Sequence, residues 1–288
     1  MFLKSKIYLN TFILFTLVFS NYSYEGLLLP SQSSELTNIN SFEIDKDFIL
    51  DLNSSSRIKS SLLVLPNDIY INSFHYYFNL LKYSAISNFT IINYGSFSDS
   101  ETGNTFLSKD IIFKNKLRYQ LKNNLYIAGT FKYMHSSIDS YKSSIISLDF
   151  SSYYHKNNLL FNAFLNNYGF ILGSYTSYKE NLPTSYGARI SYNLSNINLL
   201  MFCNYQIFSD YSEISFKNKF FIKDKYFVSI GYTSLAKNLY SGDFNNDFLV
   251  GFNLGVSIIY NNYIIDFGFK NLGSLGYINA ISLSKLFN

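Results

Sequence analysis

Residues 113–133 read FKNKLRYQLKNNLYIAGTFKY. Taken in steps of two, Phe113, Asn115, Leu117, Tyr119 and Leu121 fall on one side of an extended chain, and Lys114, Lys116, Arg118 and Gln120 on the other. After Lys122-Asn123-Asn124 the alternation resumes with Leu125, Ile127, Gly129, Phe131 and Tyr133. Successive side chains of a strand point to opposite faces, so this is a β-hairpin with one oily face, one polar face and a tight turn. The unit recurs to the C-terminus. Hairpins that show oil outward and polarity inward describe an all-β fold, a transmembrane antiparallel β-barrel.

Composition agrees. Aromatic residues make up 19% of the 288-residue chain, as 27 Tyr and 29 Phe with no Trp, and charged residues only 15%. A soluble domain carries about 25% charged residues. Mean hydropathy is near zero, and beyond the N-terminus no apolar run approaches the ~18 residues of a spanning helix. The net charge of +4 is dispersed, without the basic block that would argue for nucleic acid. Cys203 has no second cysteine to pair with and alternates with Met201 and Tyr205, as a small apolar wall residue would.

Residues 1–23 read as a signal peptide, with Lys4 and Lys6 before the apolar core Thr11–Phe19. Export plus a barrel pattern places the chain in the outer membrane of a two-membrane bacterium. Residues 24–57 show no period and are expected to pack into or beneath the barrel, which occupies 58–288.

Fourteen strands are expected, at 58–65, 69–78, 82–93, 111–121, 125–134, 144–154, 159–168, 185–194, 199–208, 214–222, 226–233, 248–259, 263–270 and 277–287. Short connections rich in Asn, Asp and Lys, such as Lys122–Asn124 and Asn261-Asn262, alternate with longer ones at 94–110, 135–143, 169–184, 209–213, 234–247 and 271–276. This is the asymmetry of periplasmic turns and extracellular loops, with both termini periplasmic. The short link around Pro66-Asn67 is an exception on the long-loop side.

Three stretches resemble the PorV/PorQ family, and within it the PorQ-like members associated with type IX secretion: NYGSFSDSETGN at 93–104, FKYMHSSIDSYKSSIISLDF at 131–150 and LPTSYGARISYNL at 182–194. LLLPSQSS at 27–34 adds a weaker likeness. The resemblance implies a fold related to the fourteen-stranded long-chain fatty-acid transporter barrels, with an N-terminal plug. It further implies a non-catalytic role in protein secretion and surface attachment, with secreted cargo or other secretion-system proteins as partners. The alternative is the role of the fold relatives, transport of small hydrophobic molecules. Outer-membrane lipid and lipopolysaccharide are expected partners in either case.

Candidate sites are few. Lys114, Lys116 and Arg118 share one strand face and would form a basic patch in the lumen, suited to a carboxylate or phosphate unless they pair with Asp149 or Asp266. Asp99, Glu101, Gly103 and Asn104 form an acidic loop that suits extracellular contacts or a divalent cation. His135 and Ser137 have the His-x-Ser spacing of outer-membrane lipid A deacylases, but lie at a strand end in a longer barrel and read as polar loop residues. No metal or cofactor motif accompanies His75, His135 and His155, so no catalytic residue, cofactor or metal is assigned.

Overall fold

The computed structural model describes residues 25–32, 56–80, 82–98, 105–175, 181–223, 225–234, 247 and 249–287. The segment read as a signal peptide and the loop bearing Asp99, Glu101, Gly103 and Asn104 lie outside these residues. Fourteen antiparallel strands form one closed barrel in which each strand pairs with its neighbour in sequence. They are β1 (Arg57–Leu65), β2 (Ile69–Leu80), β3 (Tyr83–Ser98), β4 (Thr105–Lys122), β5 (Leu125–Ile138), β6 (Tyr141–Lys156) and β7 (Leu159–Gly173). The second half comprises β8 (Ser185–Leu194), β9 (Leu199–Ile207), β10 (Ser212–Ile222), β11 (Tyr226–Thr233), β12 (Phe252–Tyr260), β13 (Tyr263–Asn271) and β14 (Tyr277–Leu286). β14 returns to β1 in unbroken register from Arg57↔Leu286 to Val64↔Asn279, which closes the sheet.

The turns on the terminal side are tight, and residues with positive φ make them so. Asn157, Asn198, Lys223 and Asn261 each adopt φ between 51° and 53°. Asn tolerates this left-handed region because its short amide bonds to nearby backbone.

The alternation anticipated from sequence sets the two faces of the wall. Phe113, Leu117, Ile127, Phe131, Ile190 and Met201 point outward and are 40–51% exposed, whereas Ser147, Asn253 and Ser282 point inward and are at most 1% exposed. In water this would be an inverted protein. In hydrocarbon the outer face buries its apolar surface, and closure pairs the strand backbones, which lipid cannot solvate. Tyrosines mark both edges of the outer belt. Tyr83, Tyr154, Tyr192, Tyr226 and Tyr263 ring the periplasmic edge, and Tyr70, Tyr186, Tyr205, Tyr232 and Tyr277 the extracellular one. Lys285 also points outward, its ammonium 5.9 Å from the Tyr263 ring and 5.5 Å from that of Phe287 at the periplasmic rim. The barrel is that of a bacterial outer-membrane protein.

β3 to β7 depart from the expected lengths. They run 14 to 18 residues, while a spanning strand needs about 9–11. The expected loop 135–143 shrinks to Asp139-Ser140, and strand continues through much of 94–110 and to Gly173. Bulges hid the extensions of β3 and β7. Between Asn93 and Ser96 the register to β4 slips, with Gly95 at φ 84°. Opposite Asp149, β7 carries extra residues at Asn166-Asn167, with Asn167 at φ 56°. An extra residue reverses which side chains face out. Leu159, Phe161, Ala163 and Leu165 thus point outward before the bulge, and Tyr168, Phe170 and Leu172 after it. A strict period of two stops at each slip. β3 to β7 therefore stand above the rest of the barrel on the extracellular side.

Phe131 sits near mid-height of β5 on the outer face. Phe131→Arg is expected to lower the unfolding free energy by about 2–4 kcal/mol, measured by reversible urea unfolding in lipid vesicles.

Candidate functional site in the barrel lumen

The lumen divides into two chemical zones. Toward the extracellular side, Leu63, Leu65, Ile69 and Ile71 on β1 and β2 meet Ile92, Ile112, Met134 and Ile145 on β3 to β6, with Ile278 and Ala280 of β14 extending the apolar wall on the other flank of β1, while β8 to β11 carry polar groups there, such as Ser185, Gln206, Glu213 and Thr233. The apolar residues of this stretch all point inward and are buried. A second apolar layer, Leu27 and Leu29 from the N-terminal segment and Tyr175 and Leu182 from the β7–β8 connection, packs against them.

The N-terminal segment descends inside the barrel. It begins with a short 3-10 turn, Glu25–Leu27. Gly26 approaches the wall so closely that a Cβ there would stand 2.4 Å from Asp110 Oδ2 and 3.1 Å from the Met134 methyl. Only glycine fits. Lower down, the Ser31 carbonyl accepts a bond from the Ser73 hydroxyl, and Gln32 Oε1 accepts one from Tyr77 at 3.2 Å. His75 is buried beneath, 2.9 Å from Ser73 Oγ and 3.1 Å from Asn88 Nδ2.

Asp110 is the carboxylate within the apolar zone. Its oxygens accept from the Tyr94 hydroxyl at 2.7 Å and from Ser136, and Tyr175 donates in turn to Ser136. A buried charge needs such donors. The chain of hydroxyls thereby fastens the β7–β8 connection to β4 and β5, beside Gly26.

Toward the periplasm the lumen becomes cationic and aromatic. Lys116, Arg118, Arg189, Lys217 and Lys219 face inward, and each lies over a ring. The distances to centroids are 5.8 Å for Lys116 over Tyr153, 4.9 Å for Arg118 over Tyr126, 5.7 Å for Arg189 over Phe164 and 4.7 Å for Lys219 over Phe227. Lys116 donates to the Tyr153 hydroxyl at 3.2 Å, and Arg118 to Ser84 at 3.0 Å. The ring quadrupole attracts a cation without neutralising it.

The basic face read from sequence does point into the lumen. Its expected close partners are otherwise engaged. Asp149 is bound by Lys132 at 2.7 Å and Asp266 by Lys59 at 2.8 Å. The first pair is locked at the β7 bulge, where Lys132 donates to Asn167 Oδ1 and the Asn167 amide to Asp149 Oδ1. His135 and Ser137 lie on β5, not in a loop, and face outward. The His135 ring contacts Ser144 at 3.1 Å, while Ser137 donates to the Lys109 carbonyl at 3.3 Å. Sequence reading placed Arg189 in the lumen and noted His75, but assigned neither of them, nor Asp110, to a site. Their signal was a charged or polar residue at an inward step of a strand, shared by many positions. Among the described residues, no three His, Cys, Asp or Glu side chains gather as a metal site.

The taller stretch of wall steps down at each side: β3 pairs with β2 only up to Tyr70↔Asn93, although β3 continues to Ser98 along β4. β7 pairs with β8 only up to Asn166↔Ser185, although β7 continues to Gly173 along β6. Residues near Pro183 approach this edge instead, with Asn167 Nδ2 donating to the Pro183 carbonyl at 3.0 Å.

No protein-family model matches the chain, and no curated protein matches it. Solved structures do. The CymD monoaromatic hydrocarbon channel superposes with TM-score 0.66 at 11% identity, over 91% of this chain and 98% of that one. The toluene transporter TodX of Pseudomonas putida superposes with TM-score 0.59 at 11% identity, over 93% and 95%. This chain has their fold. The likeness fits a barrel of the fatty-acid-transporter kind and adds nothing specific to PorV/PorQ.

Removing one partner of the Lys132–Asp149 pair strands a buried charge. Lys132→Met is expected to destabilise the barrel by about 3–5 kcal/mol, and adding Asp149→Leu to recover most of that, read from urea unfolding of all three proteins in vesicles.

Proposed function

We propose that this chain is a passive outer-membrane channel for small hydrophobic molecules. The observation that carries the reading is the apolar stretch of extracellular lumen on β14 and β1 to β6, built from Leu63, Ile71, Ile92, Ile112, Met134 and Ile145. A porin interior is polar and filled with water. An apolar lining instead favours a hydrocarbon over water by about 25 cal/mol per Å² of apolar surface buried. The two superposable channels are named for toluene and for monoaromatic hydrocarbons, which supports the same assignment.

In this reading the segment 25–32 is the plug. A solute enters from the extracellular side and displaces Leu27 and Leu29 from the apolar wall. It leaves downward, toward the periplasm. No chemical step is assigned to the chain, and lipid and lipopolysaccharide surround its outer belt.

The PorQ-like secretion role is the second reading. The tall β3–β7 rim favours it, because a rigid extracellular wall offers a docking edge for cargo. A strain lacking this chain separates the two. Transport predicts slower uptake of radiolabelled toluene with cargo secretion intact, and the secretion role predicts the reverse. Ile92→Asp, which puts a carboxylate into the apolar zone, is expected to cut toluene uptake about tenfold or more, while the folded barrel keeps its heat-modifiable electrophoretic shift.

A further inference from the structure

Asp110 does not fit a lumen made for hydrocarbon alone. It points inward from β4 and is 2% exposed, with Ile92 as its cross-strand neighbour on β3, Ser136 on β5, and Ile112 as the next inward residue of its own strand. A carboxylate is costly against such a wall unless donors surround it. Among the described residues its hydrogen-bond donors are hydroxyls, Tyr94 on Oδ2 at 2.7 Å and Ser136 on Oδ1. An ionised carboxylate has about four acceptor sites, so these two hydroxyls leave it room for a further donor. A single amide oxygen, with its two lone pairs, would suffice to hold two hydroxyls.

The space in front of Oδ2 is filled by Gly26 of the N-terminal segment. A Cβ there would clash with Oδ2 and stand 3.2 Å from Ile92 Cδ1 and 3.1 Å from the Met134 methyl. Gly26 thus occupies a niche with one acceptor and two apolar walls. When a solute displaces Leu27, the residue next to Gly26, this niche opens to the solute. A pure hydrocarbon entering it would cover Oδ2 without supplying a donor, and a buried acceptor left so is costly. A solute hydroxyl supplies one. The zone below sets the charge of that donor, because Lys116, Arg118 and Arg189 line the way down. Positive charge there opposes an organic cation and lets a neutral alcohol pass.

We propose that Asp110 makes the extracellular lumen a site for hydroxylated hydrocarbons, neutral alcohols and phenols whose O–H donates to Asp110 Oδ2 while the apolar body lies against Ile92 and Met134. The solute hydroxyl joins the chain that runs from Tyr175 through Ser136 to Asp110. Such a bond to a charged acceptor is stronger than one between neutral groups. Binding and displacement of Gly26 are one event, since both use the same niche. The proposal deepens the transport reading and rests on it for the movement of the segment 25–32.

Uptake by cells making the full chain tests it, with radiolabelled 4-methylphenol and toluene, which differ by one hydroxyl, and benzylammonium as the cationic probe. Each uptake is taken above that of a strain lacking the chain, and each variant is first shown to keep the heat-modifiable shift of the folded barrel. The ratio of 4-methylphenol to toluene uptake is expected to fall about tenfold in Asp110→Leu, and by a smaller factor in Asp110→Asn, which keeps a neutral acceptor. Should Asp110→Leu fail to fold, Asp110→Asn carries the test. A purely structural role for Asp110 would move both uptakes together, so an unchanged ratio in the folded variants overturns the proposal. Benzylammonium taken up faster than 4-methylphenol overturns it as well. Toluene uptake with a ratio indifferent to Asp110 sinks the hydroxyl site alone, whereas a chain that moves neither solute sinks the transport reading and the proposal with it.

Discussion

The hydrogen-bonded seam between β1 and β14 is the contact on which the rest depends. In hydrocarbon an unpaired peptide group costs several kcal/mol, so a sheet with edges cannot persist there. The ladder from Arg57↔Leu286 to Val64↔Asn279 closes the sheet. Once the sheet is closed, the outward side of every strand must be apolar, and the inward side is free to carry any chemistry that its neighbours can satisfy.

That freedom is used differently at the two ends of the lumen. On the extracellular side, the inward residues of β14 and β1 to β6 are largely aliphatic and close over Leu27 of the N-terminal segment. On the periplasmic side lysines and arginines lie against aromatic rings, among the apolar side chains of Ile86, Leu160 and Leu200. A solute passing through would meet oil first and positive charge second. Asp110, with its hydroxyl donors, sits within the first zone, where Gly26 and Tyr175 converge. One carboxylate thus lies where the N-terminal segment and the β7–β8 connection meet the wall.

The uneven wall follows from the bulges. Extra residues at Tyr94-Gly95 and Asn166-Asn167 let β3 and β7 bend and continue. Above the second bulge β7 keeps β6 but leaves β8, so the tall segment of wall steps down there. The Lys132–Asp149–Asn167 cluster pins the chain at this point. Its polar contacts hold a kink that apolar packing would not specify.

Period-two alternation carried the fold in the sequence itself. Each run such as Leu125, Ile127, Gly129, Phe131 and Tyr133 assigns its own inside and outside, because strand geometry leaves a side chain only two directions. The strand number, the short turns and the lumen-facing Lys114, Lys116 and Arg118 followed from that local rule. What it could not supply was anything arising between distant strands. A bulge reverses the alternation, so the tops of β3 and β7 read as loop. Which lysine meets Asp149 depends on the register of β5 against β6 and on the bulge opposite, and Lys132 wins over the basic face of β4 by position. The meeting of Gly26 with Asp110, and of Tyr175 with Ser136, exists only because the closed barrel encloses the N-terminal segment and the β7–β8 connection against its inner wall.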